Sequence, residues 1–150
     1  MIWVDADACP VRAEAEAVAT RRKTPMTLVC NGGIRPSQNP MVETVYVGNA
    51  LDAADDHIAE AAASGDVVVT DDLPLADRAL KAGAAVIKPN GEELTTRNIA
   101  PKLAARNAAD ISRGGGLAML EGGKGRPFTK RDRAAFSQSL DRVLTALERK

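Results

Sequence analysis

The chain has 150 residues and no net formal charge at pH 7, with 45% hydrophobic and 27% charged residues. These values are ordinary for a globular protein, so they exclude a disordered or fibrous chain, and the length suits one domain. Aromatic residues make up only 3% of the chain, which disfavours recognition of single-stranded nucleic acid by base stacking. We therefore expect any nucleic-acid binding to be electrostatic.

The charges are unevenly distributed along the chain. Residues 1–93 contain 15 acidic and 8 basic residues, a net charge of −7, and residues 94–150 carry a net charge of +7. This division suits an acidic metal-binding pocket beside a basic surface for a polyanion. Solvated helix faces would account for the basic excess equally well.

The composition also indicates where the protein resides. Its cysteines, Cys9 and Cys30, are too few for a disulfide scaffold or a four-thiolate zinc site. No stretch approaches the roughly 18 apolar residues of a membrane span, and the N-terminus lacks the pattern of a secretory signal. We therefore expect a cytoplasmic protein with no membrane association.

Short apolar runs alternate with helical patterns over the first part of the chain. The apolar runs predict strands at Met1–Val4, Met26–Cys30, Thr44–Val47, Val67–Thr70 and Ala84–Ile87. The segments between them predict helices at about Val11–Lys23, Asp52–Ser64 and Pro74–Ala82, the last two ended by Gly65 and Gly83. This alternation predicts right-handed β-α-β crossovers, and therefore a three-layer α/β/α fold with a mostly parallel sheet.

The pattern changes after residue 89, beyond which we expect no further strand. A helix is predicted to start between residues 96 and 98 and to end near residue 109. Residues 113–127 contain six glycines and no apolar periodicity, which predicts a long loop with basic residues. Thr129 and Asp132 resemble a capping box that begins a last helix. We expect one domain over residues 1–150 with this loop and a C-terminal helix.

Seven aspartates lie at the predicted carboxyl edge of the sheet. All strands of a parallel sheet end at this edge, where α/β proteins bind ligands. Two carboxylates about 4 Å apart repel each other by roughly 4 kcal/mol at an effective dielectric constant of 20, so a cation is expected among them. Oxygen ligands without His or Cys select Mg²⁺ or Mn²⁺. The candidate metal ligands are Asp5, Asp7, Asp52, Asp55, Asp56, Asp71 and Asp72.

The same aspartates have a simpler interpretation as residues that stabilise helix ends. Asp7, and either Asp71 or Asp72, could be the N-caps of the helices that follow them. The three aspartates of the second predicted helix could each stabilise its first turn by about 0.3–1 kcal/mol. Both interpretations remain open at the level of the sequence.

Hydrolysis of phosphodiesters is the chemistry that most often uses a carboxylate-bound Mg²⁺ or Mn²⁺ at an open sheet edge. The ion activates a water molecule and neutralises charge on the phosphate oxygens. We expect Asp5 and Asp72 to hold the ion, and Asp55 or Asp52 to complete its shell or orient the water. Basic residues would contact the polyanion through its phosphates. The candidate substrate-binding residues are Arg35, Arg113, Lys124, Arg126 and Lys130.

Three motifs carry a resemblance to a known family. They read D-A-D-A-C-P-V at residues 5–11, D-A-A-D-D-H-I-A at residues 52–59 and V-T-D-D-L-P-L-A at residues 69–76. Together they resemble the bacterial YaiI/YqxD family, and the resemblance covers nearly the whole chain. The family has no assigned biochemical function, so this resemblance implies a fold rather than an activity.

The fold of that family is similar to that of the PIN-domain nucleases. The acidic pattern of those nucleases is matched by Asp5, by Asp55 with Ile58-Ala59, and by Thr70 with Asp72. The glutamate that they usually carry between the first and third acids has no clear counterpart here. The similarity to the PIN-domain nucleases implies a PIN-like fold, ribonuclease activity and catalytic roles for Asp5, Asp55 and Asp72.

Two alternative functions fit part of the same pattern. Asp5 and Asp7 after the first strand, together with residues 70–72, also resemble the haloacid dehalogenase-like phosphatases, in which the first Asp attacks phosphorus. That class needs a lysine in the middle of the chain, and none lies between Lys23 and Lys81. The other alternative is a non-catalytic module that binds RNA or a protein.

Overall fold

The computed structural model describes residues 1–6, 9–32, 35–48, 52–105 and 128–148. The strands in these ranges are β1 (Ile2–Asp5), β2 (Met26–Cys30), β3 (Val42–Tyr46), β4 (Val67–Val69), β5 (Ala85–Ile87) and β6 (Glu93–Leu94). The helices are α1 (Arg12–Arg22), α2 (Ala53–Ala61), α3 (Leu73–Lys81), helical residues 99–105, called α4, and α5 (Lys130–Glu148). No helix in the described ranges is both long and apolar enough to cross a membrane.

The strands form one sheet in the order β3-β2-β1-β4-β5-β6. All neighbouring pairs are parallel except β5 and β6, which are antiparallel. The chain builds outward from β1 in one direction to β2 and β3, and in the other direction to β4 and β5. The gap between the carboxyl ends of β1 and β4 is therefore a topological switch point, where open α/β sheets bind ligands.

Helices cover both faces of the sheet. On one face, Ile2 and Val4 of β1 belong to a buried apolar cluster that includes residues of α1 and α5. On the other face, Val29 of β2 and Val68 of β4 belong to a second cluster with residues of α2, α3 and α4. Because both faces are covered, every residue of β2 and β4 is buried. The predicted three-layer α/β/α fold with a mostly parallel sheet is confirmed.

The expectation that no strand follows residue 89 is wrong. Leu94 of β6 pairs with Val86 of β5, and Glu93 pairs with Ile87. A turn joins the two strands, in which the Gly91 N–H donates to the Lys88 carbonyl oxygen at 2.9 Å. A strand of two residues is too short to show the alternation of apolar and polar residues by which longer strands are predicted.

Helix α2 ends at Ala61, three residues before the predicted end at Ser64. Ala62 is already extended, with φ −67° and ψ 141°. The Ala63 N–H donates to Oδ2 of Asp66 at 3.1 Å instead of continuing the helical pattern. Gly65, with φ +95°, therefore lies in the turn that follows and not directly at the helix end.

The predicted capping box at the start of the last helix is confirmed. The Thr129 N–H donates to Oδ2 of Asp132 at 3.0 Å, and the Asp132 N–H donates to Oγ1 of Thr129 at 3.1 Å. The helix that follows, α5, buries Phe136 and Leu140 against the sheet. Satisfying both N–H groups fixes where α5 begins.

Candidate active site

A pocket of about 240 Å³ lies at the switch point between β1 and β4. Asp5 is the last residue of β1, and residues 70–72 directly follow β4. Because β1 and β4 are parallel and in register, their carboxyl ends present these residues at one level of the sheet edge. The pocket is lined by Asp5, Cys9, Thr70, Asp71, Asp72 and Pro89.

The hydroxyl of Thr70 connects the ends of the two strands. Oγ1 of this buried residue donates to Oδ2 of Asp5 at 3.4 Å and accepts from the Asp72 N–H at 3.0 Å. This positioning role of Thr70 is not predicted by its sequence motif alone. The available signal is a hydroxyl residue at a strand end directly before two acids.

Asp72 is the N-cap of α3. Its Oδ1 accepts a hydrogen bond from the Leu75 N–H at 3.0 Å. The simpler interpretation of Asp72 as a helix cap is therefore confirmed, and its carboxylate also lines the pocket. Asp52 occupies the N-cap position of α2, but its side chain makes no capping hydrogen bond.

The carboxyl group of Asp55, in the first turn of α2, has a strongly altered acidity. Its pKa is raised from 3.8 to about 7, first by burial and then by the negative charges of Asp72 and Asp5. A side-chain hydrogen bond with Asp72 and the charge of Asp52 raise the pKa further. Carboxylates from β1, α2 and the start of α3 therefore act on one another at this edge of the sheet.

Two other predicted ligands have partners outside this group. Oδ1 of Asp56 lies 2.7 Å from Nη1 of Arg78 on α3, and the Asp56 side chain is 54% exposed. Oδ1 of Asp71 lies 3.5 Å from Nζ of Lys88, and the Asp71 side chain is 65% exposed. Both carboxylates are thus directed toward basic residues near the protein surface.

No three His, Cys, Asp or Glu side chains within the described ranges have an arrangement that could hold a metal ion as they stand. Oδ2 of Asp5 accepts from the Thr70 hydroxyl, and Oδ1 of Asp72 accepts from the Leu75 N–H. The chemistry of the donors, which are carboxylate oxygens, nevertheless suits a hard divalent cation. The bound ion remains a prediction.

The remaining predicted residues lie elsewhere or outside the described ranges. Arg35 is exposed and lines a neighbouring pocket. Lys130 is exposed at the first position of α5. The structure does not describe the other four, which are Asp7, Arg113, Lys124 and Arg126.

Lys88 is a residue of this edge that was not predicted. It directly follows β5, and its Nζ lies 3.5 Å from both Oδ1 of Asp71 and Oε1 of Glu92. Residues that follow parallel strands lie at one edge of the sheet, which is why the aspartates were predicted there. The same rule predicts Lys88 at this edge. This lysine places a positive charge at the rim of the acidic pocket.

Cys9 lies in the wall of the pocket as a neutral thiol. Burial raises its pKa from 9.0 to about 11, although the Val11 backbone and the charge of Arg12 act in the opposite direction. A thiol with so high a pKa is a poor nucleophile near neutral pH. We assign Cys9 a packing role.

The fold and the site define a three-layer α/β protein with a carboxylate-lined pocket at the switch point of its sheet. Residues 3–146 match the sequence profile described as "Uncharacterized BCR, YaiI/YqxD family". The chain belongs to this family, as its three motifs indicated.

Similar proteins are known from several bacteria. The chain is 53% identical to a UPF0178 protein of Ruegeria pomeroyi, over 99% of this chain and 96% of the relative. It is 52% identical to one of Cereibacter sphaeroides, over 95% and 88%, and 47% identical to one of Rhodopseudomonas palustris, over 99% and 92%. No solved structure matches the chain. The relatives' names state no activity.

Proposed function

We propose that this protein is a phosphodiesterase that hydrolyses RNA with the help of Mg²⁺ or Mn²⁺ held by Asp5, Asp55 and Asp72. The observation that carries the proposal is that Asp5 and Asp72 line one pocket at the switch point of the sheet, and that Asp55 of α2 forms a side-chain hydrogen bond with Asp72. Helix capping does not account for all three acids, because only Asp72 among them caps a helix.

The electrostatics of the site support a cation there. Burial, and after it the negative charges of Asp72 and Asp5, make ionisation of Asp55 unfavourable, and a divalent cation among the three would oppose the effect of these charges. Oxygen donors favour Mg²⁺ or Mn²⁺ over softer ions. When bound, such an ion activates a water molecule and neutralises charge on the phosphate oxygens.

The protein's own residues have distinct roles in this proposal. Asp5 and Asp72 are the principal ligands, and the Thr70 hydroxyl keeps Asp5 oriented through its hydrogen bond. Asp55, a half-buried acid in the first turn of α2, completes the shell of the ion or orients the attacking water. The water loses a proton as its oxygen forms the new P–O bond, and the P–O bond to the leaving group breaks.

The direct test is cleavage of a labelled single-stranded RNA in the presence of Mn²⁺, with Asp72→Asn as the first variant. Asn caps a helix as well as Asp does, so this substitution should keep α3 intact while it removes one negative charge. We expect the rate of cleavage to fall by at least roughly 100-fold, with little change in the melting temperature.

The matched control is Asp77→Asn on the same helix. Asp77 pairs with Lys81 at 3.0 Å and does not line the pocket. We expect this variant to cleave RNA at the rate of the unmodified protein. The proposal is contradicted if the unmodified protein binds RNA but does not cleave it with either ion, which would indicate a non-catalytic binding module.

The position of Lys88 favours a second candidate function, an aspartyl phosphatase. In that class the Asp5 carboxylate would attack phosphorus, and the leaving group would depart as an alcohol while an aspartyl-phosphate formed. This class needs a lysine near the attacking aspartate, and none lies between Lys23 and Lys81. Lys88, whose Nζ lies 3.5 Å from Oδ1 of Asp71 at the same sheet edge, could supply this positive charge. Stoichiometric binding of beryllium fluoride that is lost in Asp5→Asn would support this candidate.

A further inference from the structure

A second pocket adjoins the acidic one. Its volume is about 420 Å³, and Cys9 lines both pockets and separates them. Arg12, the first residue of α1, and Arg35, in the segment after β2, also line it. The carboxyl edge of the sheet therefore carries an acidic pocket and, directly beside it, a pocket lined by two arginines.

The charges of the second pocket favour an anion. Its one carboxylate, Glu16, accepts hydrogen bonds from Oγ of Ser37 at 3.1 Å and from Nδ2 of Asn39 at 3.4 Å, which hold it against the neighbouring segment. Arg12 and Arg35 are exposed, and neither forms an ion pair with another residue in the part of the chain that the structure describes.

Other arginines of the same protein are used differently. Arg22 pairs with Asp141 and Glu148 to join α1 to α5, and Arg133 pairs with Glu14. These guanidinium groups are neutralised by the protein itself. The two in the second pocket remain available to a ligand that brings its own negative charge.

We infer that the second pocket binds a phosphate group of the same RNA strand, next to the phosphate that is cleaved in the acidic pocket. This inference rests on the proposed function and narrows its substrate to chains with more than one phosphate. Guanidinium groups bind phosphate oxygens through paired, charge-assisted hydrogen bonds. A strand that occupies both pockets passes over Cys9, the residue that they share.

The test compares an eight-nucleotide RNA with bis(p-nitrophenyl) phosphate, which has a single phosphodiester. In the double variant Arg12→Gln/Arg35→Gln, kcat/KM for the RNA should fall roughly 10- to 100-fold, as expected for lost charge-assisted hydrogen bonds, and kcat/KM for the small substrate should not change. The salt dependence of RNA binding, measured by fluorescence anisotropy, should weaken by about 0.7 in log–log slope for each arginine removed. The control is Arg97→Gln, an exposed arginine that lines neither pocket.

The possible outcomes separate this inference from the proposed function. RNA binding with unchanged affinity and salt slope in the double variant overturns the inference, whether or not the RNA is cleaved. Equal losses of kcat/KM for both substrates overturn it as well, because they indicate damage to the acidic pocket. If the arginines are needed for RNA binding but no substrate is ever hydrolysed, the phosphate site is supported and the phosphodiesterase proposal fails.

Discussion

The carboxyl group of Asp55 shows how single residues in this site influence stability. An acid whose pKa is raised on folding, here from 3.8 to about 7, binds its proton more tightly in the folded state. Its contribution to stability is complete below pH 3.8 and is lost as the pH rises through about 7. In the absence of metal, the site should therefore destabilise the protein progressively across this range.

Replacing Asp55 by Asn removes this titration. In EDTA, the melting temperature of the unmodified protein should fall between pH 4 and pH 8 more steeply than that of Asp55→Asn, and the variant should be the more stable protein at pH 8. Thermal unfolding across this pH range measures the difference. Asp56→Asn, one residue along α2, loses only an exposed ion pair with Arg78 and should keep the slope of the unmodified protein. Parallel pH profiles for Asp55→Asn and the unmodified protein would show that the carboxylates do not interact.

Asp72 illustrates why spacing alone left two interpretations open. An aspartate between a strand and a helix is expected both as a cap and as a ligand, and the carboxylate has two oxygens that can serve both purposes. Here Oδ1 of Asp72 accepts a hydrogen bond from the Leu75 N–H. The same side chain also forms a hydrogen bond with Asp55. A sequence motif identifies such a residue, but it does not show which carboxylate oxygen caps the helix and which one faces the site.

Helix α5 supports the second pocket through its contacts with the start of α1. Nη1 of Arg133 donates to the carbonyl oxygen of Pro10 at 2.7 Å and pairs with Glu14 at 3.2 Å, and its guanidinium lies over the ring of Phe128 at 5.2 Å. Pro10 lines the second pocket. Helix α5 therefore fixes the start of α1, and with it the wall that contains Cys9.

The turn between β5 and β6 fits closely against α5. Gly91 has φ +95°, and a Cβ at this position would lie 2.7 Å from the carbonyl carbon of Ala135. Its carbonyl oxygen accepts a hydrogen bond from Oγ of Ser139 at 2.6 Å. Both the backbone conformation and the space therefore require glycine at this position.

Gly91→Ala should destabilise the protein through both effects. The positive φ costs roughly 1–2 kcal/mol for a residue with a side chain, and the forced displacement of α5 costs about a further 1–3 kcal/mol. Gly65→Ala separates the two effects, because Gly65 has the same φ of +95° but a Cβ added there would meet nothing within 4 Å. Urea unfolding should show a larger loss for Gly91→Ala. Equal losses would mean that the close approach to α5 contributes nothing.

At the scale of the whole molecule, the sequence predicted the three layers and the sheet edge at which Asp5 and Asp72 lie. Both follow from repeated patterns, since buried β-branched runs such as 67–69 alternate with helices and parallel strands all end on one side. The orientations of the Asp56 and Asp71 side chains could not be predicted, because they depend on ion pairs with Arg78 and Lys88 in other parts of the chain. The two-residue strand β6 gave no periodic signal at all.

The central claim is that carboxylates from distant parts of the chain form one binding site for a hard divalent cation. Calorimetric titration with Mn²⁺ tests it most directly, with the unmodified protein, Asp5→Asn, Asp72→Asn and the control Asp77→Asn compared at pH 7.5. We expect one class of site in the unmodified protein and the control, and an affinity at least roughly 10-fold lower in the two site variants. Equal Mn²⁺ affinity in all four proteins would contradict the account.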